Sequence, residues 1–155
     1  DRESLVVRLL EVAMGSFPVV VHNIGFERTR LEELAHHFPE HSAGLQALSN
    51  RLVDLEPVVK AALPGLGSSS LKAVAPLARP GFGYKDLSIQ NGELASAVFG
   101  LLRTSGGRES VQHEIGLDVK KARQALLDYC ARDTLATAVV VRWFRRTLDA
   151  AVSLP

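Results

Sequence analysis

The chain has 155 residues, 46% of them hydrophobic, and a formal net charge of +1. This length and apolar content predict one domain with a buried core and exclude a charge-rich disordered chain. The near-neutral charge excludes a global basic field for nucleic acid, and no apolar run is long enough for a membrane helix.

Cysteine usage and the first residues indicate the compartment. Cys130 is the single cysteine, which excludes an internal disulfide framework and a cysteine-rich zinc site. No basic-then-apolar signal peptide opens the chain. These features predict a soluble, cytoplasmic protein with no membrane partner. The chain begins with Asp1 rather than methionine, so we expect it to be a segment of a longer product.

The first half of the chain alternates helical and strand patterns. Residues 1–15 carry apolar side chains at helical spacing. The β-branched run at 19–21 is typical of a strand buried in a parallel sheet. A helix is predicted from about 26 to 38, before Pro39. Further predicted elements are a short helix at 45–48, a strand at 51–55 and a short helix at 58–63.

The second half is more strongly helical. Serines at 68–70 predict an N-cap for a helix that ends near Ala78. Residues 84–89 are expected to be extended, and Asn91 to open a helix at 93–103. A polar, glycine-containing linker is predicted at 104–110, and one long helix or two in tandem at 118–148. The predicted fold class is helix-rich α/β with few strands.

Three residues at two places have the chemistry of a site. Tyr129 and Asp133 are four residues apart on a predicted helix, so phenol and carboxylate share a face. A carboxylate on an apolar face requires a cation or hydrogen-bond donors. Glu27 follows the valine-rich strand, where open α/β sheets place ligands. A lone glutamate in a first helical turn can also simply complement the helix dipole.

The order of these motifs resembles a known family. Asn23-x-x-Phe26-Glu27 after a strand, then Tyr129-x-x-x-Asp133 on a helix, resemble the second and third motifs of the DEDD exonucleases. These belong to the ribonuclease H-like superfamily, and the tyrosine marks the DEDDy branch. Segments 51–55 and 129–134 are also similar to an uncharacterised bacterial domain family of that superfamily, found beside Cas4-like nuclease modules. The resemblance covers roughly residues 18–144.

The resemblance implies a helix-rich ribonuclease H-like domain over residues 1–155 that carries out two-metal phosphodiester hydrolysis with 3′ to 5′ polarity. It implies that Glu27 and Asp133 bind Mg²⁺ or Mn²⁺, hard ions that prefer carboxylates. Tyr129 would orient the attacking water, and Asn23 and Phe26 would shape the nucleotide end of the site. The implied partners are single-stranded nucleic acid or a nucleic-acid end, and a fused or associated nuclease or helicase module.

The family's first motif, Asp-x-Glu on a strand, has no clear counterpart. Asp1-Arg2-Glu3 match its letters, but the surrounding residues have helical period. We expect the strands bearing Asp-x-Glu to lie upstream of residue 1, so that this chain alone is inactive. The alternative is a non-catalytic exonuclease-like fold that serves as a nucleic-acid-binding or protein-interaction module. A third interpretation is a helical scaffold without a site.

Three histidines near the end of the second predicted helix could suggest a metal site. His36 and His37 project about 100° apart on a helix, and no carboxylate pairing in the sequence organises them with His41. The sequence favours a solvated helix end over a metal cluster.

Overall fold

The protein is mostly helical. The structure, a computed structural model, describes residues 2–104 and 107–152, with side chains at 2–104 and 111–150. Within these residues two strands, β1 (Val19–Val21) and β2 (Leu52–Asp54), form a parallel sheet, and a 3-10 helix covers Pro39–His41. The helices are α1 (Arg2–Val12), α2 (Ile24–His37), α3 (Ser42–Ser49), α4 (Glu56–Ala62), α5 (Leu71–Ala78), α6 (Gly92–Leu102), α7 (Gly107–Ile115) and α8 (Val119–Val152). The observed class is therefore α/β and rich in helix, as predicted.

Two compact units make up the chain, Asp1–Ser69 and Ser70–Pro155. The first, unit 1, holds the sheet, the 3-10 helix and helices α1 to α4. The second, unit 2, holds helices α5 to α8. The prediction of a single domain over residues 1–155 stays a prediction.

The parallel sheet organises unit 1. Val19, Val20 and Val21 pair with Leu52, Val53 and Asp54 in register. A parallel pair requires a crossover connection, which α2 and α3 supply, and these two helices pack against each other. The core consists of apolar side chains from α1, α2, α3 and β2: Val6, Leu31, Leu45, Leu48 and Leu52.

Arg51 fixes the segment between α1 and β1. Its guanidinium donates to the backbone carbonyl oxygens of Phe17 at 3.2 Å and Ala13 at 2.5 Å. The last carbonyls of a helix have no intrahelical donor. Arg51 therefore supplies donors to the stretch of chain that leads from α1 into β1.

Asp54, the last residue of β2, binds the start of α2. Its carboxylate accepts hydrogen bonds from the backbone N–H groups of Asn23 at 3.1 Å, Ile24 at 3.2 Å and Glu56 at 2.9 Å. Burial raises the pKa of Asp54, but the three N–H donors and nearby His22 outweigh burial and leave that pKa below its ordinary value. The carboxylate is therefore charged at neutral pH and complements the helix dipole of α2.

Unit 2 is built on α8, which contacts α5, α6 and α7. The buried face of α8 recurs at helical spacing and is made largely of small side chains, which let neighbouring helices approach closely. Its members are Ala122, Ala125, Tyr129, Ala136 and Val140. Facing residues that are fully buried include Val74 on α5, Val98 on α6 and Val111 on α7. A continuous stripe of this kind explains why the pattern folds as one helix of 34 residues.

Most predicted elements lie where the sequence places them, with three corrections. Strand β1 is not buried as its valine run predicts, since Val20 is 37% exposed and Val19 and Val21 are only half-buried. Residues 84–89 form turns rather than an extended segment, because Tyr84 is fixed by contacts from α8. The predicted linker at 104–110 is helical from Gly107, where α7 begins, while residues 105 and 106 lie outside the described part of the chain. Among the described helices, none combines the length and the apolar character needed to cross a bilayer.

We expect Asp54→Asn to lower the free energy of unfolding by about 1–3 kcal/mol at neutral pH, since one acceptor oxygen becomes an amide that faces a backbone N–H. The measurement is urea denaturation of the wild type and the variant. Glu32→Gln, at an exposed carboxylate on α2, is the matched control and should change little.

The same comparison has a defined pH dependence. A carboxyl whose folded pKa is lowered contributes stability above its unfolded pKa, 3.8 for Asp54, and loses it as the pH falls through the folded value. Wild type and Asp54→Asn should therefore converge in acid. A stability difference independent of pH would show that the charge is not what binds α2.

Candidate functional site

Glu27 is a half-buried carboxylate at the start of α2. It lies in the first turn of α2, just beyond the carboxyl end of β1. Among the described residues, none makes a hydrogen bond or an ion pair with it. Burial raises the pKa of Glu27 above its ordinary value. The position and chemistry of this side chain leave it available to a ligand at the sheet edge.

The two residues predicted to bind substrate lie next to Glu27. Asn23 is the N-cap of α2 and has a left-handed backbone with φ of 70°. Its Oδ1 accepts a hydrogen bond from the backbone N–H of Phe26 at 3.4 Å. The Phe26 ring is 60% exposed, and the Arg30 guanidinium lies 5.5 Å from its centroid. Asn23 therefore has a structural role in capping, while Phe26 presents an open aromatic surface.

Two further polar residues lie at the same sheet edge. His22 follows β1, and its Nδ1 is buried with no hydrogen-bond partner among the described residues. Glu56, at the start of α4, accepts a hydrogen bond from the Ser69 hydroxyl at 2.8 Å and forms an ion pair with Lys60 at 3.0 Å. Bonds from Ser69 and Lys60, and the charge of His22, lower the pKa of Glu56. Glu56 is thus satisfied, unlike Glu27.

In unit 2 the predicted phenol and carboxylate are in contact. Tyr129 and Asp133 lie one turn apart on α8, close enough for Asp133 to raise the pKa of the Tyr129 phenol. A second phenol, that of Tyr84, donates to Asp133 Oδ1 at 2.7 Å. Burial, followed by the interaction with Asp133, raises the pKa of both tyrosines well above the ordinary value. Both phenols therefore stay protonated at neutral pH and act as donors.

Lys72 completes this cluster. Its Nζ lies 5.5 Å from the ring centroid of Tyr84 and 5.8 Å from that of Tyr129. A cation at this distance from an aromatic face is attracted by the ring quadrupole. Asp133 itself forms no ion pair with any lysine, arginine or histidine in the described part of the chain. Within that part of the chain, its carboxylate accepts a hydrogen bond from the neutral phenol of Tyr84.

Arg132 fastens the loop that carries Tyr84. Its guanidinium binds both carboxylate oxygens of Asp86, at 3.0 and 2.7 Å, and donates to the backbone carbonyl of Gly83. It also lies over the Phe82 ring, 5.6 Å from the centroid. Bidentate pairing fixes direction as well as distance. The loop is therefore held against α8 on both sides of Tyr84.

A possible set of metal ligands lies elsewhere in unit 1. Glu3, Glu40 and His41 place one ligand atom each within 4.8 Å of one another. Glu3 lies in the first turn of α1, so it does not belong to a strand-borne Asp-x-Glu motif, and Asp1 lies outside the described residues. His41 is half-buried rather than solvated, with Nε2 lacking a hydrogen-bond partner among the described residues. The prediction that these histidines are solvated is therefore correct for His36 and His37 and wrong for His41.

The structure brings the predicted site residues together within each unit. Asn23, Phe26 and Glu27 share the start of α2, and Tyr129 contacts Asp133 on α8. Sequence reasoning missed the second phenol at Tyr84, which lies 49 residues from Asp133 along the chain. The one sequence signal at Tyr84 is that an aromatic residue follows the loop glycines before a predicted helix. No neighbouring residue in the sequence indicates that Asp133 is its partner.

The comparisons with known proteins concern mainly unit 1. Residues 1–72 match a family model described as Domain of unknown function (DUF2779). The match covers under half of the chain and ends close to the boundary of unit 1 at Ser69. No curated protein and no solved structure matches the chain.

The phenol–carboxylate contact can be measured by a double-mutant cycle. We expect Tyr84→Phe and Asp133→Ala to be coupled by roughly 1–3 kcal/mol in unfolding free energy, because each removes the same charge-assisted hydrogen bond. Fluorescence of Trp143, the single tryptophan, reports on α8. Tyr84→Phe combined with Asp128→Ala, an exposed acid on α8, is the control and should be additive. Additivity in the Asp133 cycle would contradict the contact.

Proposed function

We propose that this protein is a metal-dependent nuclease of the ribonuclease H-like, DEDDy exonuclease type. It would hydrolyse phosphodiester bonds at nucleic-acid ends in the 3′ to 5′ direction, with Glu27 and Asp133 binding Mg²⁺ or Mn²⁺. The proposal draws on the order of the sequence motifs and on the chemistry of these two side chains.

The observation that carries the proposal is that two half-buried carboxylates have no cation beside them among the described residues. Neither Glu27 nor Asp133 has an ion-pair partner among the described residues, although both are half-buried. Removing a carboxylate from water is costly unless a cation or several donors compensate. A divalent cation would supply the missing charge, and oxygen ligands without thiols favour hard ions.

Tyr129 fits the role that the family pattern gives it. Because its pKa is raised, the phenol cannot serve as a base near neutral pH. It can donate a hydrogen bond or position a water molecule beside Asp133. Two-metal hydrolysis needs such positioning, since the metal ions themselves activate the water and stabilise the charge on the phosphate.

Two features separate the chain from the usual pattern. Glu27 stands where the family has aspartate, and the added methylene moves the carboxylate while keeping the ligand type. The family pattern also requires an Asp-x-Glu pair on a strand, and Glu3 lies in a helix instead. In the proposed enzyme, that pair comes from sequence beyond the residues described.

A second candidate is a non-catalytic module of the same fold that binds nucleic acid or a partner nuclease or helicase. The observation in its favour is the bond from Tyr84 to Asp133, because it uses an oxygen that a metal ligand would need. In that case Asp133 holds the loop at 82–86 to α8 and contributes stability alone.

Activity distinguishes the two candidates. With Mn²⁺, the complete polypeptide as its gene encodes it should shorten 5′-labelled single-stranded DNA or RNA from the 3′ end. We expect Asp133→Asn and Glu27→Gln each to reduce the rate at least about 100-fold, since even outer-shell changes near a metal cost 10–100-fold.

Matched controls are available on the same helices. Asp128→Asn on α8 and Glu32→Gln on α2 change exposed carboxylates and should leave the rate unchanged. Undiminished cleavage by Asp133→Asn would reject its role as a ligand. Absence of cleavage by the complete polypeptide, with nucleic-acid binding retained, would favour the non-catalytic module.

Metal binding should depend on pH through Glu27. Protons compete with the metal until the pH exceeds the raised pKa of this carboxyl, so Mn²⁺ affinity should increase as the pH rises through that value. Calorimetric titration with Mn²⁺ at several pH values measures this. Glu27→Gln should weaken binding and flatten its pH dependence, whereas Glu32→Gln should do neither. An unchanged profile in Glu27→Gln would exclude Glu27 as a ligand.

A further inference from the structure

Unit 2 contains an open cleft that the family pattern does not predict. Its volume is about 1080 Å³, and it is formed by α5, the loop at 79–90 and residues Arg132 and Leu135 of α8. Enclosed small-molecule sites are usually about 300–1,000 Å³. A cleft of this size that is also open suits an extended ligand better than a small enclosed one.

The charges in the cleft favour an anion. Four of its lining residues are cations, Lys72, Arg79, Lys85 and Arg132, against one carboxylate, Asp86. Asp86 is paired with Arg132, whereas the other three cations form no ion pair among the described residues. Arg79 and Lys85 are exposed. An excess of positive charge in a concave surface concentrates anions there.

The rest of the lining favours an anion with flat apolar parts. Pro76, Pro80 and Leu135 give apolar surface, and Leu135 is 46% exposed. The Arg132 guanidinium lines the cleft and lies 5.6 Å from the centroid of the Phe82 ring. Bases stack on such guanidinium planes, and single-strand sites combine stacking with a basic groove.

We propose that this cleft binds single-stranded nucleic acid, with Arg79 and Lys85 contacting phosphates and Arg132 positioning a base. This inference rests on the proposed function, in which the bound strand is the substrate. Tyr84 lines the cleft and also donates to Asp133, so a strand bound in the cleft would lie beside that carboxylate. Arg132 forms an ion pair with Asp86 and donates to the carbonyl of Gly83, and these bonds fix the shape of the cleft in the absence of a ligand. Preorganisation of this kind lowers the entropic cost of binding.

The test is equilibrium binding in EDTA, which separates binding from metal-dependent cleavage. Fluorescence anisotropy follows a labelled oligothymidylate of about 16 nucleotides, the upper site size of one single-strand-binding fold. We expect the double variant Arg79→Gln/Lys85→Gln to bind at least about tenfold more weakly at about 50 mM salt. The slope of log affinity against log salt should fall by about 1.4, because each phosphate contact on a single strand contributes about 0.7.

A double variant with the same change in charge provides the control. Arg142→Gln/Arg146→Gln removes two exposed arginines of α8 that do not line the cleft, and its affinity should stay within about twofold of wild type. Equal losses in both double variants would show that binding is a general charge effect and would overturn the proposal. Displacement of the oligonucleotide by polyglutamate of equal length would also overturn it, in favour of an acidic peptide.

Two further outcomes separate this inference from the proposed nuclease. Binding lost in the cleft variant, without cleavage by any form of the protein, supports the cleft and rejects the nuclease. Cleavage by wild type with full binding and activity in Arg79→Gln/Lys85→Gln supports the nuclease and rejects the cleft. Far-UV circular dichroism should be unchanged in both double variants, since all four side chains are exposed.

Discussion

The Asp54 carboxylate is the constraint on which unit 1 depends. The first N–H groups of a helix have no intrahelical acceptor, and at the start of α2 a side chain from the neighbouring strand accepts them. The same carboxylate accepts the N–H of Glu56, so one charged group fixes the chain on leaving both strands. The position of Asn23, Phe26 and Glu27 follows from this arrangement, because all three lie within one turn of the helix start that Asp54 binds.

A comparable constraint acts in unit 2, where α8 holds an irregular loop through side chains rather than backbone. Tyr84 and Arg132 make bonds across 49 residues of sequence, and they link the loop to the helix from both directions. Asp133 accepts a hydrogen bond from the neutral phenol of Tyr84 and, among the residues that the structure describes, forms no ion pair. The arrangement therefore stabilises the loop, and it occupies one oxygen of the carboxylate that the proposed nuclease would use to bind a metal ion.

The regular elements could be predicted because their signals are local. The valine run of β1, the Asn91 cap of α6 and the apolar repeat of α8 each depend on neighbours within a few residues, and each is found. The loop at 84–89 failed because its conformation is set by Asp133 and Arg132, which are distant in sequence. Tyr129 and Asp133 could be predicted to share a face because they are four residues apart. The contacts of Tyr84 and Lys72 and the cleft at 79–90 could not be predicted, because they depend on residues distant in sequence.

Three carboxylates at one sheet edge differ in their hydrogen bonding, and their pKa values differ accordingly. Asp54 and Glu56 are both met by donors, and their pKa values are lowered. Glu27 is held in the same region by the helix that Asp54 binds, yet no described residue donates to it, and burial raises its pKa. A raised carboxyl pKa opposes folding at neutral pH, because the charged form is less stable in the folded state than in the unfolded one. Glu27 is therefore the carboxylate of this group for which hydrogen bonding gives no structural role, and the one whose replacement tests the proposed function most directly.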